Sequence, residues 1–577
     1  MERLKSKGFI LFAAAVLVLV GVAAAVEIAR PTKAENPRLE RLLPADTVGF
    51  VEVNDLRAQA LKVIESEAWR EFSKENSAAS SLFMIGANHA GTLDASYAIA
   101  LLGVAPTEDG KPEPQFVVVA QFNDWGARYT FENRVLRFVK DGQSKGVEAK
   151  TEEVDGARLV SIKRLGVQRF TYATKDTLLI VSNTEAAVRR VLDVRAERTP
   201  SLESNEKFKQ ARAATPGVDG MFGFLDGAAL TNIVDSTQVA GADEKLAAFR
   251  QLFHGLGAAS VQSASFTSTF EDGRVVERFG VVAPNREGVL ATVASNPPTE
   301  GRLLALVPET AVQAFDASVA NAPQTFDQMF ALASQLSNQA GKHGPEEGLA
   351  QFTEKTGVDL RNEIVGSVGS EVCAAQLTTS TSEEGASGVI LVNLKDEAAF
   401  AGALLKFAEK NQRETTEREY KGVKVHRISG EKGRGLEYAF VNGNFVASGK
   451  PEAVEHVIDT AQGGRSLKDS AAYKSAAAQL KSPAQFIYFN TNADYLNRLG
   501  RTLQGGEQTF KTEGQSASLR PSFAFGTTRE DGFFVESRTP LGTFPRMLTA
   551  ISSKLGGEKK DGGEKKDGGE KKDGGAE

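Results

Sequence analysis

The chain is 577 residues long, 41% hydrophobic and 25% charged, with Lys+Arg 68 nearly balancing Asp+Glu 74 for a formal net charge of −6. Single cores stop growing near ~250–300 residues, so two large domains are expected, and the lack of basic excess argues against a nucleic-acid binder. One cysteine, Cys373, excludes an intramolecular disulfide and a cysteine metal cluster.

Arg3, Lys5 and Lys7 precede an unbroken apolar run, Phe9–Val26. A helix of that length spans roughly 27 Å, close to the ~30 Å hydrocarbon core, and the basic flank keeps the start cytoplasmic. Residues 1–30 therefore read as a signal-anchor or a signal peptide, and the bulk of the chain as extracytoplasmic. The length of the run favours an uncleaved anchor; Ala23-x-Ala25 fits a cleavage site, which would release the chain as a secreted protein.

The pattern that follows occurs twice. In the first copy, Leu43-Pro44 opens onto an alternating strand, Thr47–Val53, then a helical stretch, Leu56–Lys74. Strand-like runs Tyr97–Val104 and Phe116–Phe122 come next, then a hairpin at Val154-Asp155-Gly156 and a strand from Tyr172 to Ser182. A helix over Thr184–Val194, with Thr184 as N-cap, is followed by a short one near Lys207–Ala214. A hairpin at Glu271-Asp272-Gly273 closes the unit. After Asn296-Pro297-Pro298, read as a linker, the series restarts at Val307-Pro308.

Tyr172–Asp193 and Tyr438–Asp459 align without a gap, sharing Tyr172/Tyr438, Ser182/Ser448, Val188/Val454, Val191/Val457 and Asp193/Asp459. Runs Val372–Leu377 and Val389–Val392, a turn at Tyr420-Lys421-Gly422 and a hairpin at Glu530-Asp531-Gly532 complete the second copy. The expected fold is α+β: two tandem repeats of one largely antiparallel sheet-plus-helices domain, 36–293 and 301–551, after a single membrane segment. Residues 556–577, three GGEKKD units and GGAE, have too little apolar surface to fold and read as a disordered tail.

The apolar segment followed by Leu42-Leu43-Pro44-Ala45-Asp46-Thr47, the Gly357-Val358-Asp359-Leu360 to Gly366 stretch, and the strand–Ser–helix unit at Ser182 and Ser448 together resemble exported bacterial proteins of domain-of-unknown-function family 3352. The resemblance spans most of the exported region. It implies location and architecture, and no activity, because that family carries none.

Chemistry is hard to find in the sequence. The five histidines, His89, His254, His343, His426 and His456, stand at no metal-ligand spacing. Ser204-x-x-Lys207 with Lys355-Thr356-Gly357 matches parts of a serine acyl-transfer site, but the parts fall in different repeats. Cys373 reads as a small buried hydrophobe, Gly366-Ser-Val-Gly369 as a packing turn, and Glu152-Glu153 and Glu383-Glu384 as solvated pairs. Phe266, Phe270 and Phe279 alternate along strands, as a sheet packed on one face requires. No catalytic, cofactor or metal residue is assigned. The expectation is a non-enzymatic envelope module, anchored through Phe9–Val26, that binds an envelope protein or hydrophobic ligand and no nucleic acid. The alternative is an exported hydrolase with a site between the repeats.

Overall fold

The computed structural model describes residues 38–542 except 76–94, 107–111, scattered positions between 125 and 145, 218–219, 237–242, 340–343, 378–386, 431–434, 481, 493–494 and 496–518. The apolar run Phe9–Val26 and the GGEKKD tail lie outside the described residues. Among the described residues no helix is long and apolar enough to cross a membrane.

Among the described residues twenty strands form one sheet in which every pairing is antiparallel. The first ten are β1 Gly49–Val53, β2 Ala95–Pro106, β3 Pro112–Phe122, β4 Val147–Val154, β5 Ala157–Arg164, β6 Val167–Lys175, β7 Leu178–Ser182, β8 Met221–Asp226, β9 Ser263–Glu271 and β10 Arg274–Val282. The second ten are β11 Gln313–Ser318, β12 Val368–Gln376, β13 Gly388–Leu394, β14 Thr415–Tyr420, β15 Val423–Ser429, β16 Gly435–Val441, β17 Asn444–Ser448, β18 Phe486–Asn490, β19 Ser522–Arg529 and β20 Gly532–Thr539. The first set lies in the order 4-5-6-7-3-2-1-8-9-10. The second repeats it as 14-15-16-17-13-12-11-18-19-20.

Local chemistry explains why the matching segments fold alike. Thr184 caps the helix Glu185–Arg195 by accepting from the Ala187 N–H at 3.3 Å, while Pro451 opens the equivalent helix Pro451–Ala461. Both helices bury apolar residues at four matching positions, Ala187, Val188, Val191 and Leu192 in one and Ala453, Val454, Val457 and Ile458 in the other, and the first also buries Val194. Burying each Val or Leu side chain contributes about 1.5–3 kcal/mol. The shared serines tie strand to helix: Ser182 Oγ donates to Phe116 O at 2.6 Å and accepts from the Thr184 N–H at 3.1 Å. Ser448 does the same with Gly388 O at 2.6 Å and the Lys450 N–H at 3.0 Å. The two Leu/Val-Pro starts also correspond, with Pro44 bridged to Ser201 and Pro308 to Ser466.

Three local expectations need correction. The Leu56–Lys74 helix is two helices, Leu56–Glu65 and Glu67–Glu75, because Ser66 is extended (ψ 148°) and its hydroxyl starts the second by accepting from the Trp69 N–H. The Tyr172–Ser182 strand is a hairpin, β6–β7, turned at Asp176 with φ 50° and without a glycine to announce it. The Pro297-Pro298 linker leads straight into a docked segment: Thr299 is buried and its N–H bonds Ala484 O at 2.7 Å.

The largest difference from two separate domains is the joint. The last strand of each half, β10 and β20, pairs with the other, making one continuous sheet. The hairpin registers equate Arg274 with Gly532, so counting along both strands equates Arg278 with Glu536. Those two residues also face each other across the joint, which places a local twofold between them. Arg278 grips Glu271 with both Nη atoms, at 2.8 and 3.0 Å, and Glu536 with Nε at 3.0 Å; Arg538 Nε holds the other Glu536 oxygen at 2.8 Å.

Helices cross the joint as well. Val63, Trp69 and Phe72 of the first half pack with Leu519 and Leu541 of the second. Reciprocally, the helix Ala322–Gln339 lies on Asp243–Gly255, where Gln251 bonds Gln335 at 2.6 Å.

Gly532 serves the joint rather than the hairpin. In the first half the turn is Asp272-Gly273, with φ 51° and 74°; in the second it is Glu530-Asp531, and Gly532 begins the strand. A Cβ there would sit 1.7 Å from Val281 O. Gly532→Ala is expected to cost about 1–3 kcal/mol in denaturant unfolding, the scale of overpacking. Arg278→Glu should cost about 3–5 kcal/mol, since it breaks a largely buried pair and gathers carboxylates. The double variant R278E/E536R should regain at least half of that in the same measurement.

Candidate functional site

The residues singled out in the sequence as chemical lures are occupied structurally. Ser204 Oγ bonds Ser201 O at 2.6 Å, and Lys207 Nζ is paired with Asp226 at 2.9 Å. Thr356 ends the helix Pro345–Thr356, with Gly357 as its left-handed cap, so Lys355-Thr-Gly is no substrate-binding strand. Cys373 is buried in β12, and burial pushes its thiol well above the usual range. Ser367 in the Gly366–Gly369 turn bonds Glu363 O at 2.7 Å. Glu152 is paired with Arg189, and Glu153 is exposed. His254 contacts Asp235 at 2.9 Å, His426 stacks on Tyr438 at 5.0 Å, and His456 is exposed on its helix. His89, His343 and Glu383-Glu384 lie outside the described residues. Among the described residues no group of three His, Cys, Asp or Glu could hold a metal ion.

The feature the structure does bring together is the face of the sheet around the joint. Away from the joint, both faces are covered. One carries the cores built on Glu185–Arg195 and Pro451–Ala461, and the other carries Tyr172 with Val160 and Leu179, or Tyr438 with Phe400 and Phe445. On β9 alone the alternation inverts, while nearby strands bury Phe222, Phe224, Phe523, Phe525 and Phe534 on the covered side. Along β9 the covered side is Ser263, Ser265, Thr267 and Thr269, all buried, and the open side is Ala264, Phe266, Ser268 and Phe270. The ion pairs of Arg278 and Glu536 fall on the covered side.

On the open side, apolar residues run from strand to strand in direct register. Ile99 faces Val51, Val51 faces Gly223, Gly223 faces Phe266, and Phe266 faces Phe279. Across the joint Phe279 meets Val535, and the row goes on through Gly526 to Phe486. Phe315 and Ile390, both opposite Ala374, extend the surface beyond it. Directly opposed side chains stand about 4.5–5.5 Å apart at Cβ, so the surface is contiguous. Its exposure is high for such residues: Val51 46%, Ile99 45%, Phe279 44%, Phe315 40% and Ile390 55%. The sequence reading of Phe266, Phe270 and Phe279 as core is corrected here. Phe270 packs against the Trp69 cluster, but Phe279 is open and Phe266 half-buried.

A second feature, missed from sequence, is a buried acid at one position of the first strand in each half, β1 and β11. Val48 N bonds Leu101 O and Val312 N bonds Gln376 O, which aligns β1 with β11 and Glu52 with Asp316. Both are fully buried. Burial, reinforced by Glu40 and opposed by Arg212, pushes the Glu52 carboxyl up to about 7. Burial likewise raises Asp316 to about 6, with Thr299 opposing and Glu371 reinforcing. The signal was available: both acids stand between apolar neighbours, Val51 and Val53 or Phe315 and Ala317, four residues after the aligned Val48 and Val312.

No curated protein matches the chain. A solved structure, described as crystal form III of TP0453, is similar at 9% identity and a TM-score of 0.22, covering 44% of this chain and 83% of that one; so low a score carries no argument. The family described as "Protein of unknown function (DUF3352)" matches residues 93–404 and 305–523. With both halves matched over most of the sequence, the chain belongs to the DUF3352 family.

Proposed function

We propose that this chain is an exported, non-enzymatic binding module of the cell envelope, built from two tandem repeats of one domain and held to the membrane by Phe9–Val26. Its docking surface is the open face across β10 and β20. The observation that supports this reading is the open face itself: Val51, Ile99, Phe279, Phe315 and Ile390 stay 40–55% exposed on one side of the sheet, in a row that runs across the joint. Solvent alone gives no reason for that pattern, and contiguous exposed apolar patches usually mark interaction sites. The partner is accordingly an apolar one, a hydrophobic ligand or the greasy face of an envelope protein. A hydrolase site between the repeats is less well supported, because the charged groups at the joint, Arg278, Glu271, Glu536 and Arg538, satisfy one another.

Two measurements test the reading. A photo-crosslinking residue in place of Phe279 or Phe315, in the native host, should capture a partner or a lipid-sized adduct that Phe279→Asp abolishes; equal capture from an exposed site on β14 would sink it. Fractionation with intact-mass analysis should find an uncleaved chain in the membrane fraction, extractable only by detergent. A mass short by about the first twenty-five residues and a soluble protein would remove the anchor.

A further inference from the structure

The two buried acids pose a hydrogen-counting problem. In the second half, Thr299 Oγ lies 2.5 Å from Asp316 Oδ2 and 2.8 Å from Glu371 Oε1, and it accepts from the Gly301 N–H at 3.0 Å. The hydroxyl has one hydrogen, and two ionised carboxylates supply none. One of the two acids must therefore carry a proton. Glu371 is the ionised one, because it also takes the N–H groups of Glu300, Arg302 and Leu303 at 2.7, 3.1 and 3.3 Å. Asp316 then donates to Thr299, which donates to Glu371. Asp316 Oδ1 has no partner, as fits a neutral acid rather than a buried anion.

The first half repeats the problem with other residues. Arg212 Nη2 reaches Glu52 Oε1 at 2.8 Å and Glu40 Oε1 at 3.3 Å, and its guanidinium lies 4.0 Å over the Phe222 ring. Glu40 and Glu52 are 1% and 0% exposed, and each leaves Oε2 without a donor. Arg212 is the buried cation between two buried carboxylates, and Arg38, 4.0 Å from Glu40, is half exposed, so the close approach of Glu40 and Glu52 is relieved when a proton joins them.

We propose that each repeat binds one proton at the same place on its first strand, on Glu52 of β1 and on Asp316 of β11, and that these protons lock that strand to the 3-10 turn leading into the repeat. The locked turns are Leu39–Leu42, which carries Glu40, and Leu303–Ala305, whose first N–H groups Glu371 holds. The other charged or titratable groups facing the sites are few. Arg38 stands 4.0 Å from Glu40; Ala98 and Phe222 flank Glu52 on the neighbouring strands. Around Asp316 are Cys373 on β12, Tyr473 on Ala471–Ala477, and Lys468, whose Nζ is engaged by Glu300 O and Gly301 O; β18 offers Ile487.

The sign of the pH effect follows. The unfolded acids lose their protons near pH 4, and the folded ones keep theirs until about 7 and 6. Between those limits unfolding releases protons, so stability falls as pH rises and levels off above the folded values. Near pH 5.5 the two sites together should release about 1.5 protons on unfolding. Glu52→Gln and Asp316→Asn imitate the protonated acids, Asn still offering a donor to Thr299. In the full chain, E52Q/D316N should unfold at a temperature equal to or above the natural protein's at pH 8, with a flatter dependence between pH 5 and 8. Infrared spectra near pH 5.5 should show a protonated-acid carbonyl band that the double variant loses. If the double variant is less stable by the same margin at pH 5 and pH 8, and the natural protein shows no such band, both acids are ionised and the proposal is overturned.

Discussion

The pairing of β10 with β20 is the constraint on which the rest of the molecule depends. An antiparallel pair lying on a local twofold sets equivalent positions of the two repeats against each other, so the residue on the axis meets its own counterpart. Were both Arg or both Glu, like charges would meet in a mostly covered setting, at a cost of several kcal/mol. Arg278 opposite Glu536 removes that conflict, and Glu271 and Arg538 complete the neutralisation. The two repeats have thus diverged where identity would be repulsive. The pairing also turns two would-be edge strands into interior ones. The edges that remain, β4 and β14, carry Glu148, Lys150, Glu152 and Glu153, or Glu417, Arg418 and Glu419, the charged protection that open edges need.

From the joint follows the open face. A strand at the centre of a wide sheet has two faces to partner, and here the helices cover the one carrying Ser263, Ser265, Thr267 and the ion pairs. That side also buries Phe523, Phe525 and Phe534, whereas leaving Val51, Ile99, Phe279, Phe315 and Ile390 half open forgoes roughly 1 kcal/mol for each. The closed cores elsewhere, from Tyr172, Val191 and Val457 to Phe222, Phe489 and Phe523, offset that loss.

Much of the architecture was legible in the sequence. The gapless match of Tyr172–Asp193 to Tyr438–Asp459 located the strand–Ser–helix unit, and Asp-Gly at 155–156 marked its hairpin, because helical spacing, caps and left-handed turns leave local signatures. The turn at Asp176 escaped because it uses no glycine, and the break at Ser66 because a serine cap inside an apolar-periodic stretch looks like helix. The glycine of Glu530-Asp531-Gly532 misled for the opposite reason: it answers to Val281 on a strand some 250 residues away, and long-range approach has no local signature. The open face was misread for the same cause. Alternation along β9 shows that Phe266 and Ser265 face opposite ways, but which side the helices cover is decided by tertiary packing.

The acids show how the same position can be kept while its surroundings change. Glu52 and Asp316 occupy one place in the repeat, yet one is answered by Glu40 and Arg212 and the other by Thr299 and Glu371. Hydrogen bonding to a buried carboxyl can be satisfied in several ways, and the two halves have found different ones. The open face is another matter. Each repeat carries part of it: Phe279 and Phe266 come from one half, Val535 and Phe486 from the other, and the two parts become one contiguous surface only when β10 meets β20. The completed face therefore depends on the joint itself. It also gives a physical reason for both repeats to reside in one chain, where covalent linkage replaces a dilute encounter with a high effective concentration.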